Sequence, residues 1–169
     1  MSDRAINILG VGSTLMGDDG VGPAAVEALQ ARGMPANVRL HDAGLAVSDV
    51  LGRLDPDDPL IVIDALRAGG EPGSVYKARL EDLSLVEGPL TGCLSLHELS
   101  VLPALRIEAL TGRQFTNVTV FALEPESIAW GQGLSTTVSN AIEKLIQAVL
   151  QHVEQIDGRC PAAAGDTAR

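Results

Sequence analysis

Ile6-Asn7-Ile8-Leu9-Gly10-Val11-Gly12-Ser13-Thr14-Leu15-Met16-Gly17-Asp18-Asp19-Gly20-Val21-Gly22 is the stretch on which the reading of this chain turns. It begins as an apolar run, breaks into a glycine-rich turn, and sets two adjacent aspartates just ahead of a new apolar pattern. That order describes a buried strand, a loop at its carboxyl end, and a helix whose first turn carries acid. A glycine loop between strand and helix ordinarily cradles phosphate, because glycine lets backbone amides approach an anion. Here the dinucleotide fingerprint stops short: Gly10-x-Gly12-x-x-Leu15 lacks its third glycine, and Asp18 and Asp19 stand where phosphate charge would go. Carboxylates repel phosphate and attract cations, so the loop reads as a cation holder.

Working outward, Val21, Ala25, Val26 and Leu29 repeat at helical spacing, with Pro23 suited to the first turn and Gly33 to the stop. Val38 to Asp42 alternates as a short strand that ends in the turn Asp42-Ala43-Gly44, and Val47, Val50, Leu51 and Leu54 mark a short helix. Leu60-Ile61-Val62-Ile63 is a continuous apolar run, the mark of a strand covered on both faces, with Asp64 at its carboxyl end. Ser74 to Arg79 alternates and carries charge, which predicts an edge strand. Residues 80 to 94 read as loop. Ser95-Leu96-His97-Glu98 has capping-box spacing and predicts a helix from Ser95 to Gly112, kinked or interrupted by Pro103. Asn117 to Leu123 is a further strand, followed by an irregular crossing from Glu124 to Gly133. Val138, Ile142, Leu145, Ile146, Val149, Leu150 and Val153 form one stripe of a last helix.

Strands alternating with helices predict an α/β fold, a three-layer sandwich in which a twisted, mostly parallel five-stranded sheet carries helices on both faces. One domain spans residues 1–156, and 157–169, without periodicity, is expected to be a flexible tail. A chain of 169 residues with 46% hydrophobic but only 2% aromatic residues must build an aliphatic core. Its formal net charge of −10 argues against an extended nucleic-acid or anionic-membrane surface. Cys93 and Cys160 form no CxxC pair, and no segment approaches the length of a membrane span or a signal-peptide core. These features are those of a cytoplasmic protein.

Ligands of open α/β sheets bind beyond the carboxyl ends of the strands. Three residues with metal-binding chemistry fall at such positions: Asp19 after the first strand, Asp64 at the end of the third, and His97 after the fourth. Two carboxylates and an imidazole suit a borderline divalent ion such as nickel or zinc, with coordination left for water or substrate. Each also has a plainer reading. Asp18 and Asp19 could balance a helix dipole, Asp64 could bond a neighbouring loop, and His97 could be an ordinary first-turn residue. Asp42 resembles a ribose-binding acid but equally suits an Asx turn. Cys93 is either a nucleophile, an extra ligand or a buried thiol; His41 and His152, the latter on the polar side of the last helix, read as structural. No Ser-His-Asp, Cys-His or HExxH arrangement is evident.

The first stretch resembles the N-terminal signature of the hydrogenase maturation endopeptidases, which process the large subunit of nickel-iron hydrogenases. Further matches follow in order: Asp42-Ala43-Gly44, the apolar run into Asp64-Ala65, Ser95-Leu96-His97-Glu98, and Pro125-Glu126-Ser127 with Trp130-Gly131-Gln132-Gly133-Leu134-Ser135. The likeness runs from Ile6 to about Val153, departing at Ser13, where many members carry Asn. It implies a five-stranded sheet between helices and a divalent metal held, by motif match, by Asp19, Asp64 and His97, which would then be both metal and catalytic residues. It implies removal of a C-terminal peptide from the large-subunit precursor after nickel insertion, the nickel being the precursor's own; zinc or cadmium fit the same donors. Asp18 or a bound water would assist as base. The expected partner is that precursor, with no nucleic acid, no membrane insertion and a monomeric protease. Two other readings stand beside it: a nucleotide- or small-ligand-binding α/β module using the glycine loop and Asp42, and a maturation chaperone that docks the large subunit without cutting it.

Overall fold

The computed structural model describes residues 4–84 and 99–158. Five strands, β1 (Ile6–Val11), β2 (Val38–Gly44), β3 (Leu60–Ala65), β4 (Val75–Arg79) and β5 (Val118–Leu123), form one sheet in the order β2-β1-β3-β5-β4. All pairings are parallel except β4 with β5. β1, β3 and β5 are buried along their whole length, as strands covered on both faces must be, whereas β4 alternates half-buried with exposed residues at the edge. The expected mostly parallel five-stranded α/β sheet is the one observed.

Helices α1 (Val21–Arg32) and α5 (Thr136–Ile156) cover one face, where Ile8, Ile61 and Phe121 meet Ala25, Leu29, Leu145 and Val149. Helices α2 (Val47–Leu51) and α4 (Val101–Leu110) cover the other, where Leu9, Val62 and Val120 meet Leu51, Ala104 and Leu105. The chain runs from β1 outward to β2 and then back past β1 to β3, so the sheet changes winding direction between β1 and β3. In open α/β sheets such a switch point is where the loops leaving neighbouring strands diverge and a crevice forms.

Several boundaries differ from the sequence expectation for local reasons. The adjacent aspartates lie in a separate 3-10 turn, Gly17–Gly20, that precedes α1. Leu80–Ser84, read as loop, is a short helix, α3. Pro103 neither kinks nor breaks α4, because the helix starts at Val101 and proline is harmless in a first turn. The proposed start at Ser95 lies outside the described residues. Ser135 caps α5, its side chain accepting a hydrogen bond from the Val138 amide at 3.2 Å. Asp157, assigned to the tail, is the C-cap residue of α5 and accepts from Asn37 Nδ2 at 2.9 Å. His152 does not face outward: it is half-buried, bonds Thr119 Oγ1 at 3.1 Å and tilts against the Phe121 ring. Among the described residues, no helix is long and apolar enough to cross a membrane.

Candidate functional site

The crevice is built by glycine. Gly22, in the first turn of α1, packs so tightly that an added Cβ would stand 2.2 Å from the Val11 carbonyl oxygen and 2.6 Å from that of Ile63. Helix α1 therefore seats directly on the ends of β1 and β3, the close approach that the third glycine of a dinucleotide fingerprint provides elsewhere. Gly12 takes φ +125°, and a Cβ there would collide with the Asp19 backbone at 1.8 Å. At Gly10/Val11 the β1–β2 register slips, and the loop turns back over the strand ends.

That turn engages the amides a phosphate would need. Gly12 N donates to Gly44 O (3.0 Å), Ser13 N to Asp19 Oδ2 (2.7 Å), Gly17 N to Gly131 O (3.0 Å) and Asp18 N to Ser127 O (3.1 Å). Met16 N and Asp19 N donate within the loop itself. A loop whose N–H groups are bonded to protein presents no anion cradle, which weighs against the nucleotide-binding reading. Asp42 likewise folds back on itself, its Oδ1 accepting from the Gly44 amide at 3.1 Å in an Asx turn.

The two aspartates of the loop have separate duties. Asp18 is buried and points toward the far end of the chain. It accepts from the amides of Glu126 (2.9 Å), Ser127 (3.0 Å) and Ser135 (2.6 Å) and from the Ser135 hydroxyl (2.9 Å). Burial acts to raise its pKa, but these hydrogen bonds outweigh burial and hold the carboxyl below its ordinary value. A carboxylate so committed is an anchor and a poor proton acceptor, which weighs against Asp18 as the base. Asp19 is only half-buried and accepts from the Ser13 amide.

Asp64 closes the other side of the crevice. It is 1% exposed at the penultimate position of β3. Its oxygens accept from the Ala65 amide at 2.9 Å and from the Ser100 amide, ahead of α4, at 3.3 Å. Burial pushes its pKa up to about 7, and the negative charge of Asp19 adds to the rise against the lowering effect of the two amides. Asp64 and Asp19 are thus brought within electrostatic reach of one another at the switch point. Two carboxyls, one of them buried and reluctant to ionise, form a site whose charge a divalent cation would relieve. His97 lies outside the described residues, as do Cys93 and Cys160; among the described residues no group of three metal-binding side chains comes together. His41, on β2, shares a 3.0 Å hydrogen bond with Asn7 on β1.

Sequence reasoning missed Glu124. Directly after β5, it is buried and accepts from the amides of Ala68 (2.9 Å) and Gly69 (3.3 Å) and from the Tyr76 hydroxyl (2.9 Å). It braces the loop that follows Asp64. An acid closing an all-buried strand was its signal, the same one that singled out Asp64.

An open, doubly wound α/β sheet with an acidic pair at its switch point defines a class of protein that takes its ligand at the carboxyl edge of the sheet. The hydrogenase maturation protease (HycI) family model matches residues 23–152. The hydrogenase 2 maturation protease of Escherichia coli K12 is 33% identical over 147 residues, covering 86% of this chain and 88% of that relative. The hydrogenase expression/formation protein HupD of Thiocapsa roseopersicina is 29% identical over 156 residues, 91% of this chain and 70% of the relative. The E. coli hydrogenase maturating endopeptidase HybD superposes with a TM-score of 0.75 at 31% identity, covering 90% and 93% of the two chains. The maturation protease HybD of Thermococcus kodakarensis, at 21% identity, shares the fold with a TM-score of 0.71 over 88% of this chain and 98% of that one. The chain belongs to the hydrogenase maturation protease family. It is accordingly a hydrolase of peptide bonds, which disfavours the non-proteolytic chaperone.

Proposed function

We propose that this protein removes a C-terminal peptide from the precursor of a nickel-iron hydrogenase large subunit after nickel has been inserted. In this reading Asp19, Asp64 and His97 engage the precursor's nickel. The observation that carries it is the placement of Asp64: a buried carboxyl at the end of a central strand, within electrostatic reach of Asp19, at the switch point of the sheet. Two hard oxygen donors and an imidazole match nickel and leave positions for the substrate's own ligands. Zinc or cadmium would satisfy the same donors. Bound there, a divalent metal supplies Lewis-acid polarisation of a carbonyl. The chain's own residues do the rest: the glycine seam fixes the Asp19 loop, Asp18 holds that loop against residues 126–135, and the Ser100 amide orients Asp64. The family resemblance supplies the nickel dependence and the role of His97. The protease acts in this account as a cytoplasmic monomer, its single domain ending near residue 156.

Intact-mass spectrometry of a nickel-loaded large-subunit precursor incubated with the protein tests the proposal. A discrete C-terminal loss, absent with nickel-free precursor and with His97→Ala or Asp19→Asn, is the expected result. Equal processing of the nickel-free precursor, or full activity in His97→Ala, overturns it.

A further inference from the structure

The chain has a single tryptophan, and it is placed where a core would never use it. Trp130 is 83% exposed. Its exposure is not that of a frayed loop, since the segment around it is fastened at both ends. Gly131 N donates to Leu15 O and Gly131 O accepts from Gly17 N, each at 3.0 Å, while Asp18 holds Glu126, Ser127 and Ser135. Two other large apolar side chains stand in the open at the same end of the sheet. Leu15, 47% exposed, leads into the Asp19 turn, and Leu45, 76% exposed, follows Gly44, whose carbonyl receives the Gly12 amide. One exposed apolar residue therefore lies on the loop that carries Asp19, and two more follow or adjoin residues hydrogen-bonded to that loop or its entry, Gly44 and Gly131. Elsewhere among the described residues, large hydrophobics are exposed only on α4, at Ile107 and Leu110.

Leaving Trp and Leu in water has no folding benefit, and exposed aromatics on a fixed backbone are residues that anchor interfaces. We infer that Leu15, Leu45 and Trp130 form the surface on which this endopeptidase holds its polypeptide substrate, taking apolar side chains of the precursor that flank the cleaved segment. The occupant is a polypeptide because the surface adjoins the site of a peptide-cleaving enzyme. The exposed Glu126 in the Trp130 segment and the chain's net charge of −10 favour basic residues beside the apolar ones in that partner. Trp130 is the largest of the three side chains and stands beside backbone that Gly131 already fastens, so it should dominate the contact.

This inference rests on the large-subunit reading given above, and the test separates the two. The full-length protein is labelled with 5-fluorotryptophan, which gives one fluorine resonance, and titrated with unlabelled nickel-loaded precursor while cleavage kinetics are followed in parallel. The resonance should shift on binding. Trp130→Ala should raise KM and Kd about thirtyfold, as expected of a hot-spot residue. Leu45→Ser should raise both severalfold, with kcat changed less than about threefold in either variant. Trp130→Phe should recover most of the affinity, and Leu110→Ser on α4 should behave as wild type. Cleavage and binding with an unmoved resonance and an unaltered KM in Trp130→Ala overturn the docking surface and leave the function standing. A wild-type protein that neither binds nor cleaves the precursor overturns the function, and the surface with it.

Discussion

Replacing Asp64 with Asn should make the metal-free protein more stable at neutral and alkaline pH while abolishing processing. The Asp64 carboxyl has a folded-state pKa of about 7 against 3.8 in the ordinary carboxylate, raised by burial and by Asp19. The folded state thus holds its proton more tightly than the unfolded chain does. This preference stabilises the protein below about pH 4, and stability is lost as pH rises through the window up to about 7. At about 1.4 kcal/mol per pH unit, full ionisation in the folded protein costs about 4 kcal/mol, and about 2.5 kcal/mol of that falls between pH 5 and pH 8. Asn cannot ionise and escapes this loss. It keeps an oxygen for the Ala65 amide but turns an N–H toward the Ser100 amide, costing about 1–2 kcal/mol at every pH. Because that penalty is constant, the informative quantity is the change with pH. Urea denaturation of both proteins in chelator should show the stability difference, variant minus wild type, rising by about 2.5 kcal/mol from pH 5 to pH 8. His41 and His152 titrate identically in both and cancel. A difference that stays flat across that range would refute the reasoning, since Asp64 would then be ionised without penalty and the site would lack its unrelieved charge.

Other perturbations read other parts of the structure. Asp18→Ala strands the amides of Glu126, Ser127 and Ser135 and should cost about 3 kcal/mol in denaturant unfolding, with Asp18→Asn intermediate. Gly22→Ala drives a methyl into the Val11 and Ile63 carbonyls, so it should lower stability by about 3 kcal/mol or more, visible as a large drop in Tm. Asp19→Asn should preserve the fold by circular dichroism yet slow nickel-dependent processing at least about a hundredfold, as loss of a metal contact does. Burial and the neighbouring Lys77 charge lower the His152 pKa below 6.5, so the unfolded chain binds its proton more readily. The contribution of His152 to stability should therefore fall as pH drops below about 6.5, and the stability difference, His152→Gln minus wild type, should rise toward acid pH.

What could be read in advance followed the range of the forces involved. The Ile6–Gly22 stretch, the run into Asp64 and the α5 stripe are local patterns, and the structure has all three. The antiparallel return of β4 was not legible, because an alternating strand looks alike in either direction and its orientation is settled by β5. The partition of labour between Asp18 and Asp19 was equally hidden, since the groups that claim Asp18 are more than a hundred residues away. Sequence position offered both aspartates the same helix-dipole reading, and motif match made Asp19 the ligand and Asp18 an assisting base; only the fold shows Asp18 turned inward as an anchor and Asp19 left half-open. His152 was misplaced for a related reason: a histidine beside the apolar stripe of a helix can turn either way, and here Thr119 and the Phe121 ring draw it in. Pro103 misled because the same residue breaks a helix interior and starts a helix well, so its meaning depended on a boundary two residues away.

The bonds that Asp18 makes have a consequence for how such an enzyme can change. Because one carboxylate fastens the glycine turn to the segment carrying Trp130, the part that meets the reacting end of a substrate and the part that grips its flank share a common foundation. A loop transplanted from a relative would arrive without its counterpart and sit askew. Exchanging preference between two such proteases should therefore require moving residues 13–19 and 126–135 together, as two blades of one tool are reground as a pair.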